Sequence, residues 1–498
     1  MNGSGKSDRP IVPTKQPNKA GKPGAEVVEG RGLAKGNTDK QNASRTLSRN
    51  HDVRTALDRV REAARKDKQA RFTALLHHVT VERLQKAFLR LRRNASAGVD
   101  GVTWEQYAGE GLEEKLQDLH ARVQRGAYRA KPSRRVSILK TDGRPRLLGI
   151  ASLEDKIVQR AVVEILNAIY ETDFLGFSYG FRPGRSQHNA LDALAVGIRR
   201  KKVNWVLDAD IRGFFDTIDH GWLLQFLEHR IGDRRILRLI QKWLRSGVMD
   251  KGKWAKSLEG TPQGATVSPL LGNLYLHYVF DLFVQQWRVR YARGDVTVTR
   301  YADDFVVGFQ HREDAERFLR ELRARLQKFS LELHPDKTRV IEFGRYAASN
   351  RRARGEGKPE TFHFLGFLHL CGKTETGKFL IARRTQPERM RTKLREVKAE
   401  LRRRRHQPVP SQGKWLRSVV NGHFAYYAVP TNGQSLGRFR KEVTRQWHRA
   451  LRRRSQRDRT NWQRMRRLAD RWIPTVRIRH AWPDERFDVR TRGRSPVH

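Results

Sequence analysis

Two pairs of aspartates in this sequence have the residue type and the local setting of a metal site. Asp303 and Asp304 lie between two apolar runs, 296–301 and 305–309, which predict a β-hairpin with both carboxylates at its turn. Adjacent carboxylates raise the cost of ionising each other unless a cation compensates, and Mg²⁺ is the hard, oxygen-seeking ion that suits such a site. The alternative is that the pair only fills a turn, because Asp tolerates turn conformations.

The second pair follows a predicted strand at 203–207. Asp208 and Asp210 are two residues apart, so on an extended backbone both point to one side and Ala209 points away. A carboxylate at the end of a central strand is costly to bury without a cation. Asp210 is therefore a stronger candidate metal ligand than an average aspartate.

Several other segments could position these carboxylates or bind phosphate. The segment 136–150 predicts a hairpin on which Lys140 and Arg146 flank the turn and could clamp a triphosphate, although two surface cations would look the same. Residues 177–194 predict a basic loop entering a helix, which could grip a phosphate backbone or be a plain basic turn. Gln263 lies in a Pro-Gln-Gly turn before an apolar helix, and Lys337 lies on a later turn before a strand.

The charge of the chain limits its partners. The net charge is +49, with 102 Lys and Arg against 53 Asp and Glu, and such an excess favours a polyanionic partner, above all nucleic acid. No apolar run approaches the roughly 18 residues of a membrane-spanning helix, so no membrane partner is expected. Cys371 is the only cysteine, which excludes an internal disulfide and a cysteine-rich zinc site. These features predict a cytoplasmic protein that faces nucleic acid.

The order of these segments is more specific than any one of them. Together they resemble the reverse transcriptases encoded by bacterial group II introns, over roughly residues 70–480. The matching stretches are NASAGVDGVTW, ILKTDGRPRLLGIASLEDKIVQRA, FSYGFRPGRSQHNAL, DADIRGFFDTIDH, GTPQGATVSPLLGNLYLH, RYADDFVVGF, LHPDKTR and FHFLGF.

This resemblance implies an α+β fold of the right-hand polymerase type. It would have helical and hairpin fingers, an antiparallel-sheet palm, and an all-α basic thumb and maturase domain. The implied division is a disordered basic N-terminal arm (1–52), an N-terminal extension and fingers (53–202), the palm with interleaved finger elements (203–372), the thumb and maturase bundle (373–480) and a C-terminal tail (481–498).

The resemblance also implies roles for individual residues. Two Mg²⁺ ions about 4 Å apart would act on the attacking 3′-hydroxyl and the leaving pyrophosphate. Their ligands would be Asp210, Asp303 and Asp304, with the backbone carbonyl of Ile211. The nucleotide triphosphate would contact five further residues, namely Lys140, Arg146, Phe215, Gln263 and Lys337.

Arginine and tryptophan are crowded into amphipathic helical segments after about residue 375, which is typical of RNA binding by shape and stacking. The expected partners are therefore group II intron RNA, an RNA template with a DNA primer, target DNA and dNTP substrates; a homodimer is left open. No cysteine follows Cys371, so the family's optional cysteine- and histidine-rich endonuclease domain is not expected, and priming at a replication fork would replace second-strand cleavage.

Three functions remain open from the sequence. The first is an RNA-directed DNA polymerase that also promotes splicing of its intron RNA and intron mobility. The second is an RNA-binding splicing factor that has lost polymerisation, which the complete aspartate set argues against. The third is a stand-alone bacterial reverse transcriptase used in defence or in a retron, which the basic C-terminal helices argue against.

Overall fold

The computed structural model describes residues 56–109, 111–139, 145–250, 252–255, 259–262, 264–455 and 460–491. The predicted arm 1–52 lies outside these residues, as do Lys140 and Gln263, and only the backbone of Arg146 is described. In the described part of the chain, no helix is both long enough and apolar enough to span a bilayer.

Helices and short strands alternate along the chain. The helices are α1 (56–66), α2 (Val81–Leu89), α3 (Trp104–Ala108), α4 (Leu112–Gln124), α5 (Leu153–Tyr170), α6 (Gln187–Arg200), α7 (His220–Glu228), α8 (Arg234–Arg245), α9 (Ser268–Leu276), α10 (Leu282–Arg290), α11 (Arg312–Lys328), α12 (Ala347–Ala353), α13 (Pro387–Arg403), α14 (Val409–Tyr427), α15 (Gly433–Arg452), α16 (Trp462–Trp472) and α17 (Pro483–Thr491). The strands are β1 (Ser133–Leu139), β2 (Pro145–Ile150), β3 (Trp205–Asp210), β4 (Val248–Asp250), β5 (Lys253–Ala255), β6 (Val296–Tyr301), β7 (Asp304–Phe309), β8 (Arg339–Glu342), β9 (Phe362–Phe364), β10 (Phe367–Lys373) and β11 (Phe379–Thr385).

Three sheets organise these strands. The central sheet has the order β6-β7-β3-β8 with every pair antiparallel. A second sheet, β2-β1-β4-β5, contains the predicted hairpin at 136–150 and one parallel pair, β1 with β4. The third sheet is β11-β10-β9. The α+β prediction is therefore confirmed as a mixture of helices and largely antiparallel sheets.

Side-chain alternation gives the central sheet two apolar faces. Leu207 and Ala209 of β3, with Phe305 and Val307 of β7, face a large core formed with helices α2, α4, α5 and α7 to α11. Val206 and Val306 face a second core formed with α6 and the third sheet. Because residues two apart share a face, the carboxylates at the strand ends lie on the α6 side.

Local capping fixes where the helices begin. Thr103 and Gln106 form the predicted capping box at α3, in which each side chain bonds the backbone of the other residue. Ser186 caps α6 and Asp219 caps α7, each by accepting a backbone N–H three residues on. Phe214–Asp216, where the sequence predicts the start of a helix, is a single 3₁₀ turn after Gly213.

The C-terminal part departs from the prediction at both of its ends. Helices α13 to α16 surround their own apolar core, which confirms a helical bundle. The prediction that residues 373–480 are all helical is wrong at the start, because β11 pairs with β10 along its whole length. The predicted tail 481–498 contains α17, which packs against α6 through the buried Phe487.

A buried carboxylate, Asp192, joins three distant segments. It lies on α6 and is 2% exposed, with Oδ1 3.4 Å from Arg383 Nη1 of β11 and Oδ2 3.1 Å from Arg486 Nε of α17. Arg383 is itself 1% exposed. Because a buried guanidinium without its carboxylate is left uncompensated, Asp192 should determine how firmly α17 and β11 are held on α6.

We expect Asp192→Ala to destabilise the protein by about 3–5 kcal/mol, because it leaves Arg383 buried and uncompensated. The matched control is Asp484→Ala, which removes the partly exposed ion pairs of α17 with Arg199 and Arg200 and should cost no more than about 1 kcal/mol. Thermal unfolding followed by circular dichroism measures both. Equal melting temperatures for the two variants would contradict this role of Asp192.

Candidate active site

The hairpin β6–β7 carries the first carboxylate pair on a two-residue turn. Tyr301 pairs with Asp304, so the turn is Ala302-Asp303 and Asp304 is already the first residue of β7. The prediction that both aspartates occupy the turn is wrong by one residue. Ala302 has φ +58°, and a Cβ placed on Gly180 would lie 2.3 Å from the Ala302 nitrogen. The turn therefore rests directly on the loop that contains Gly180, and only glycine fits there.

A buried arginine, Arg300, holds this turn in place by hydrogen bonds. Arg300 is 0% exposed, and its Nε and Nη2 donate to the two oxygens of Asp281 at 2.7 and 2.6 Å. Its remaining donors reach Asn273 Oδ1 at 3.1 Å, Ser178 Oγ at 2.7 Å and the Ala302 carbonyl at 2.9 Å. This set of contacts is hereafter called the Arg300 cluster. It connects the Ala302-Asp303 turn to α9, to the π-helical turn His277–Asp281 and to the loop before α6.

The second carboxylate pair meets the hairpin across β3 and β7. Asp210 is the register partner of Asp304, so the two residues are direct cross-strand neighbours. Burial raises the pKa of the Asp304 carboxyl well above its usual range, and the negative charges of Asp210 and Asp208 raise it further. Carboxylates are thus crowded at this strand end.

Asp208 shares this environment. Burial raises the pKa of its carboxyl to about 6, and the Arg339 guanidinium, 3.7 Å away, only partly opposes the shift. Asp208 is thus a further acidic group of the site, on the same face as Asp210.

Lys337, which the resemblance implies as a nucleotide-binding residue, lies beside the carboxylates. It ends a 3₁₀ turn, Pro335–Lys337, and its ammonium forms an ion pair with Asp210. The adjacent bridge between Ile211 and Leu333 uses the Arg212 N–H and the Asp210 carbonyl, so it does not occupy the Ile211 carbonyl. The backbone group predicted as a ligand is therefore left available by this bridge.

The donor set suits a divalent cation, although the side chains do not form a closed cluster. Within the described residues, no three His, Cys, Asp or Glu side chains converge closely enough to hold a metal ion unaided. Asp210 and Asp304 are nevertheless cross-strand neighbours, and burial, together with the negative charges of Asp210 and Asp208, raises the pKa of Asp304. A hard cation with oxygen ligands would remove this repulsion.

These groups line one open cleft of about 860 Å³. Its walls include parts of β3, β7, β8, the 3₁₀ turn Pro335–Lys337, the β9–β10 turn, α13 and α14. The residues are Gln187, Asp208, Asp210, Tyr301, Asp303, Asp304, Asp336, Lys337, Arg339, His363, Phe364, Leu365, Gly366, Gln386, Arg389, Tyr426 and Tyr427. The cleft therefore combines carboxylates with cations and aromatic rings.

Sequence reasoning missed the far wall of this cleft. Tyr426 donates its hydroxyl to the Leu365 carbonyl at 2.8 Å and stacks on Phe367, which joins α14 to the β9–β10 turn. Arg389 on α13 also lines the cleft. No local motif marks these residues, because their place depends on how the C-terminal helices pack.

One further predicted nucleotide-binding residue whose side chain the structure describes, Phe215, lies elsewhere. Phe215 does not line this cleft; it is partly buried against the large core, and its carbonyl accepts the Thr261 N–H at 2.7 Å. On the other side of the same loop, a Cβ on Gly264 would lie 2.9 Å from the Gly149 carbonyl of β2. The loop at 259–264 thus runs between Phe215 and β2, which is the strand that carries Arg146.

We expect Arg300→Lys to lower the melting temperature by several degrees. A lysine has one nitrogen and three donors, so buried acceptors of the Arg300 cluster would lose their partners at about 1–3 kcal/mol each. The matched control is Arg317→Lys, whose pair with Glu321 on α11 is partly exposed and should change stability by less than about 1 kcal/mol. Similar melting of the two variants would show that the cluster does not hold the turn.

Comparison with known proteins agrees with this geometry. The family of reverse transcriptases (RNA-dependent DNA polymerases) matches residues 138–369. Protein YkfC of Escherichia coli (strain K12) is 34% identical over 274 residues, which cover 49% of this chain and 71% of that protein. Group II intron-encoded protein LtrA of Lactococcus lactis subsp. cremoris is 31% identical over 357 residues, covering 68% of this chain and 57% of LtrA.

A third relative is the putative COX1/OXI3 intron 1 protein of Saccharomyces cerevisiae, 25% identical over 424 residues. The matched region covers 50% of that protein and 57% of LtrA. The chain therefore spans only about half the length of these two intron proteins. The family match at residues 138–369 includes the central sheet, β2 and the β9–β10 turn. The chain therefore belongs to the reverse transcriptases, and to the group II intron-encoded type among them, as the order of its sequence motifs predicts.

Proposed function

We propose that this protein is an RNA-directed DNA polymerase that extends a DNA primer on an RNA template. The observation that carries the proposal is the direct cross-strand pairing of Asp210 with Asp304, next to the Asp303 turn, in a cleft that also presents Lys337, Arg339 and Arg389. Carboxylates suit metal ions and cations suit phosphates, so the cleft has the chemistry for nucleotidyl transfer.

Asp210, Asp303 and Asp304 would hold two Mg²⁺ ions, with the Ile211 carbonyl as a backbone ligand. When bound, such ions supply electrostatic stabilisation of the attacking and leaving oxygens in an in-line displacement. The protein's own contribution is rigid positioning. Asp210 ends a paired strand and Asp304 begins the neighbouring one, while the Arg300 cluster fixes the turn between Tyr301 and Asp304.

A nucleotide pocket would form beside the carboxylates from the remaining predicted residues. Lys140 and Arg146 on the β1–β2 hairpin would contact the triphosphate, Gln263 the nascent base pair, and Phe215 the sugar. The contact of the 259–264 loop with both Phe215 and β2 supports this grouping. Lys337, paired with Asp210, is close enough to the carboxylates to meet the same nucleotide.

The described architecture suits the division into fingers, palm and thumb. We assign the central sheet and α6 to the palm and the β1–β2 hairpin to the fingers. Helices α13 to α16 would form the thumb, and Tyr426 would join it to the β9–β10 turn, the proposed primer grip at Phe364 to Phe367. β11 pairs with β10, which follows this turn. The thumb would therefore begin after β11, near Pro387.

We further propose that the C-terminal helices bind the group II intron RNA and promote its splicing, and that the chain acts on target DNA during intron mobility. The named intron-encoded relatives favour this role over a stand-alone reverse transcriptase. Between α15 and α16, a groove of about 600 Å³ offers Arg440, Lys441, Arg445 and Arg466 next to the exposed Trp462. Cations with an aromatic face suit folded RNA. These partners would place the protein in the bacterial cytoplasm, at the nucleoid.

We expect Asp303→Ala to abolish extension of a DNA primer on an RNA template in the presence of Mg²⁺, because a proposed ligand is lost. Binding of RNA should be unchanged, since the basic groove is untouched. Asp118→Ala, at an exposed aspartate of α4, is the matched control and should extend normally. Equal extension by the Asp303→Ala variant would exclude the metal-ligand assignment.

RNA affinity should fall steeply with salt. Each phosphate neutralised by Lys or Arg releases counterions, so the logarithm of the binding constant should decrease linearly with the logarithm of salt concentration. Filter binding between about 50 and 200 mM salt measures the slope. A flat response would contradict binding by the basic groove.

A further inference from the structure

Phe181 combines two features that are unfavourable in a folded protein. Its side chain is 54% exposed, and its backbone has φ +58°, in the left-handed region that bulky residues rarely adopt. A single exposed aromatic ring needs no explanation by itself. An exposed ring held in a strained conformation does, because such strain persists only where the surrounding structure enforces it.

The surrounding loop enforces this conformation. Arg182, which the sequence suggests as a phosphate contact, is only 6% exposed and donates to both oxygens of Glu171 at 3.1–3.2 Å and to the Leu175 and Ser178 carbonyls at 2.7 and 2.9 Å. Arg185 also donates to the Ser178 carbonyl, at 3.0 Å. These cations therefore stabilise the loop from inside and hold it rigid.

The loop is also attached to the catalytic turn. The Gly180 carbonyl accepts a hydrogen bond from Asn273 Nδ2 at 2.6 Å, and Asn273 is a member of the Arg300 cluster. Gly180 packs under Ala302, and the Phe181 ring lies 6.3 Å from the Tyr301 ring, centroid to centroid. Tyr301 lines the cleft, so Phe181 continues an aromatic surface from the cleft onto its rim.

We propose that Phe181 is a stacking residue for nucleic acid, which packs its ring against a nucleobase as the strand passes the catalytic turn. The proposal rests on the proposed polymerase function and adds a positioning residue to it. Base-to-aromatic stacking contributes about 1–3 kcal/mol per base and tolerates every sequence, as a polymerase requires. Phe181 would thus hold the substrate in register with Asp303 without contacting the reacting atoms.

The setting favours a nucleobase over a protein partner. The cleft next to Tyr301 presents Lys337, Arg339 and Arg389, which attract a phosphate backbone, whereas Phe181 offers one exposed apolar ring beside Tyr301. A protein interface would need a contiguous apolar patch around the ring. Here the neighbouring Arg182 is buried and the next contact is Tyr301.

The test compares Phe181→Ala, Phe181→Leu and Phe181→Trp in the full-length protein, with Val289→Ala as the matched control. Val289 is 73% exposed on α10, so its truncation removes an exposed apolar side chain away from the cleft. The affinity for a fluorescent RNA–DNA primer–template is measured by anisotropy, together with kcat and KM for primer extension.

We expect Phe181→Ala and Phe181→Leu to weaken binding at least about fivefold and to raise KM for the primer–template, because a base loses its stacking partner. Phe181→Trp should bind like the wild type, since indole stacks equally well. Melting temperatures should stay unchanged, as the ring is already exposed. Wild-type affinity for the alanine and leucine variants, or weak binding by the tryptophan variant, would overturn the proposal.

Photocrosslinking identifies the strand. A 5-iodouracil is placed at single positions of the primer or of the template, and a crosslink to Phe181 at any of them supports the stacking contact; crosslinks at none overturn it. Binding and crosslinking do not require turnover. If the wild-type protein binds and crosslinks but never extends the primer, the polymerase proposal fails while the stacking proposal survives.

Discussion

The candidate site depends on one buried ion pair, Arg300 with Asp281. Removing two charges from water is expensive, and their attraction compensates only when the remaining donors and acceptors are also satisfied. A guanidinium has five N–H donors, and Arg300 makes five contacts, to both Asp281 oxygens, Asn273, Ser178 and the Ala302 carbonyl. The cluster is therefore complete, and it holds the turn in a single arrangement.

The helix that supplies Asp281 is adapted to this pair. Between α9 and α10 the backbone makes a π-helical turn, His277–Asp281, and such insertions re-aim side chains, often at functional sites. His277 lies one turn before Asp281, 3.9 Å away, but burial lowers the pKa of its imidazole to about 4, so the ring is neutral near pH 7. Arg300 is thus the cation that compensates Asp281 within the described residues. The carboxylates of the cleft have a different environment from Asp281. They lie close together, and the Lys337 ammonium is paired with Asp210.

The sequence predicted the local elements of the site well and its long-range contacts poorly. Alternating residues gave the hairpin of Asp304 and the strand of Asp210, because side-chain direction follows from strand periodicity alone. Arg182 looked like a surface cation, yet it is buried on Glu171, because residue type does not reveal which cations find internal partners. The Arg300 cluster was missed for the same reason, as the side chains that Arg300 contacts are 19 to 122 residues away. β11 was included in the helical bundle because its sequence, FLIARRT, has two arginines in seven residues, a density similar to that of α13, which has five in seventeen.

The contact of α14 with the β9–β10 turn has a mechanical consequence. Tyr426 donates a hydrogen bond to the carbonyl of Leu365, and the backbone of Leu365 lies near enough to the Asp304 carboxyl to lower its pKa, against the larger effect of burial. Leu365 and Gly366 both have positive φ, so the β9–β10 turn is tight. This turn therefore connects the C-terminal bundle to a carboxylate of the cleft. We expect a shift of α14 to be felt at Asp304 through this connection.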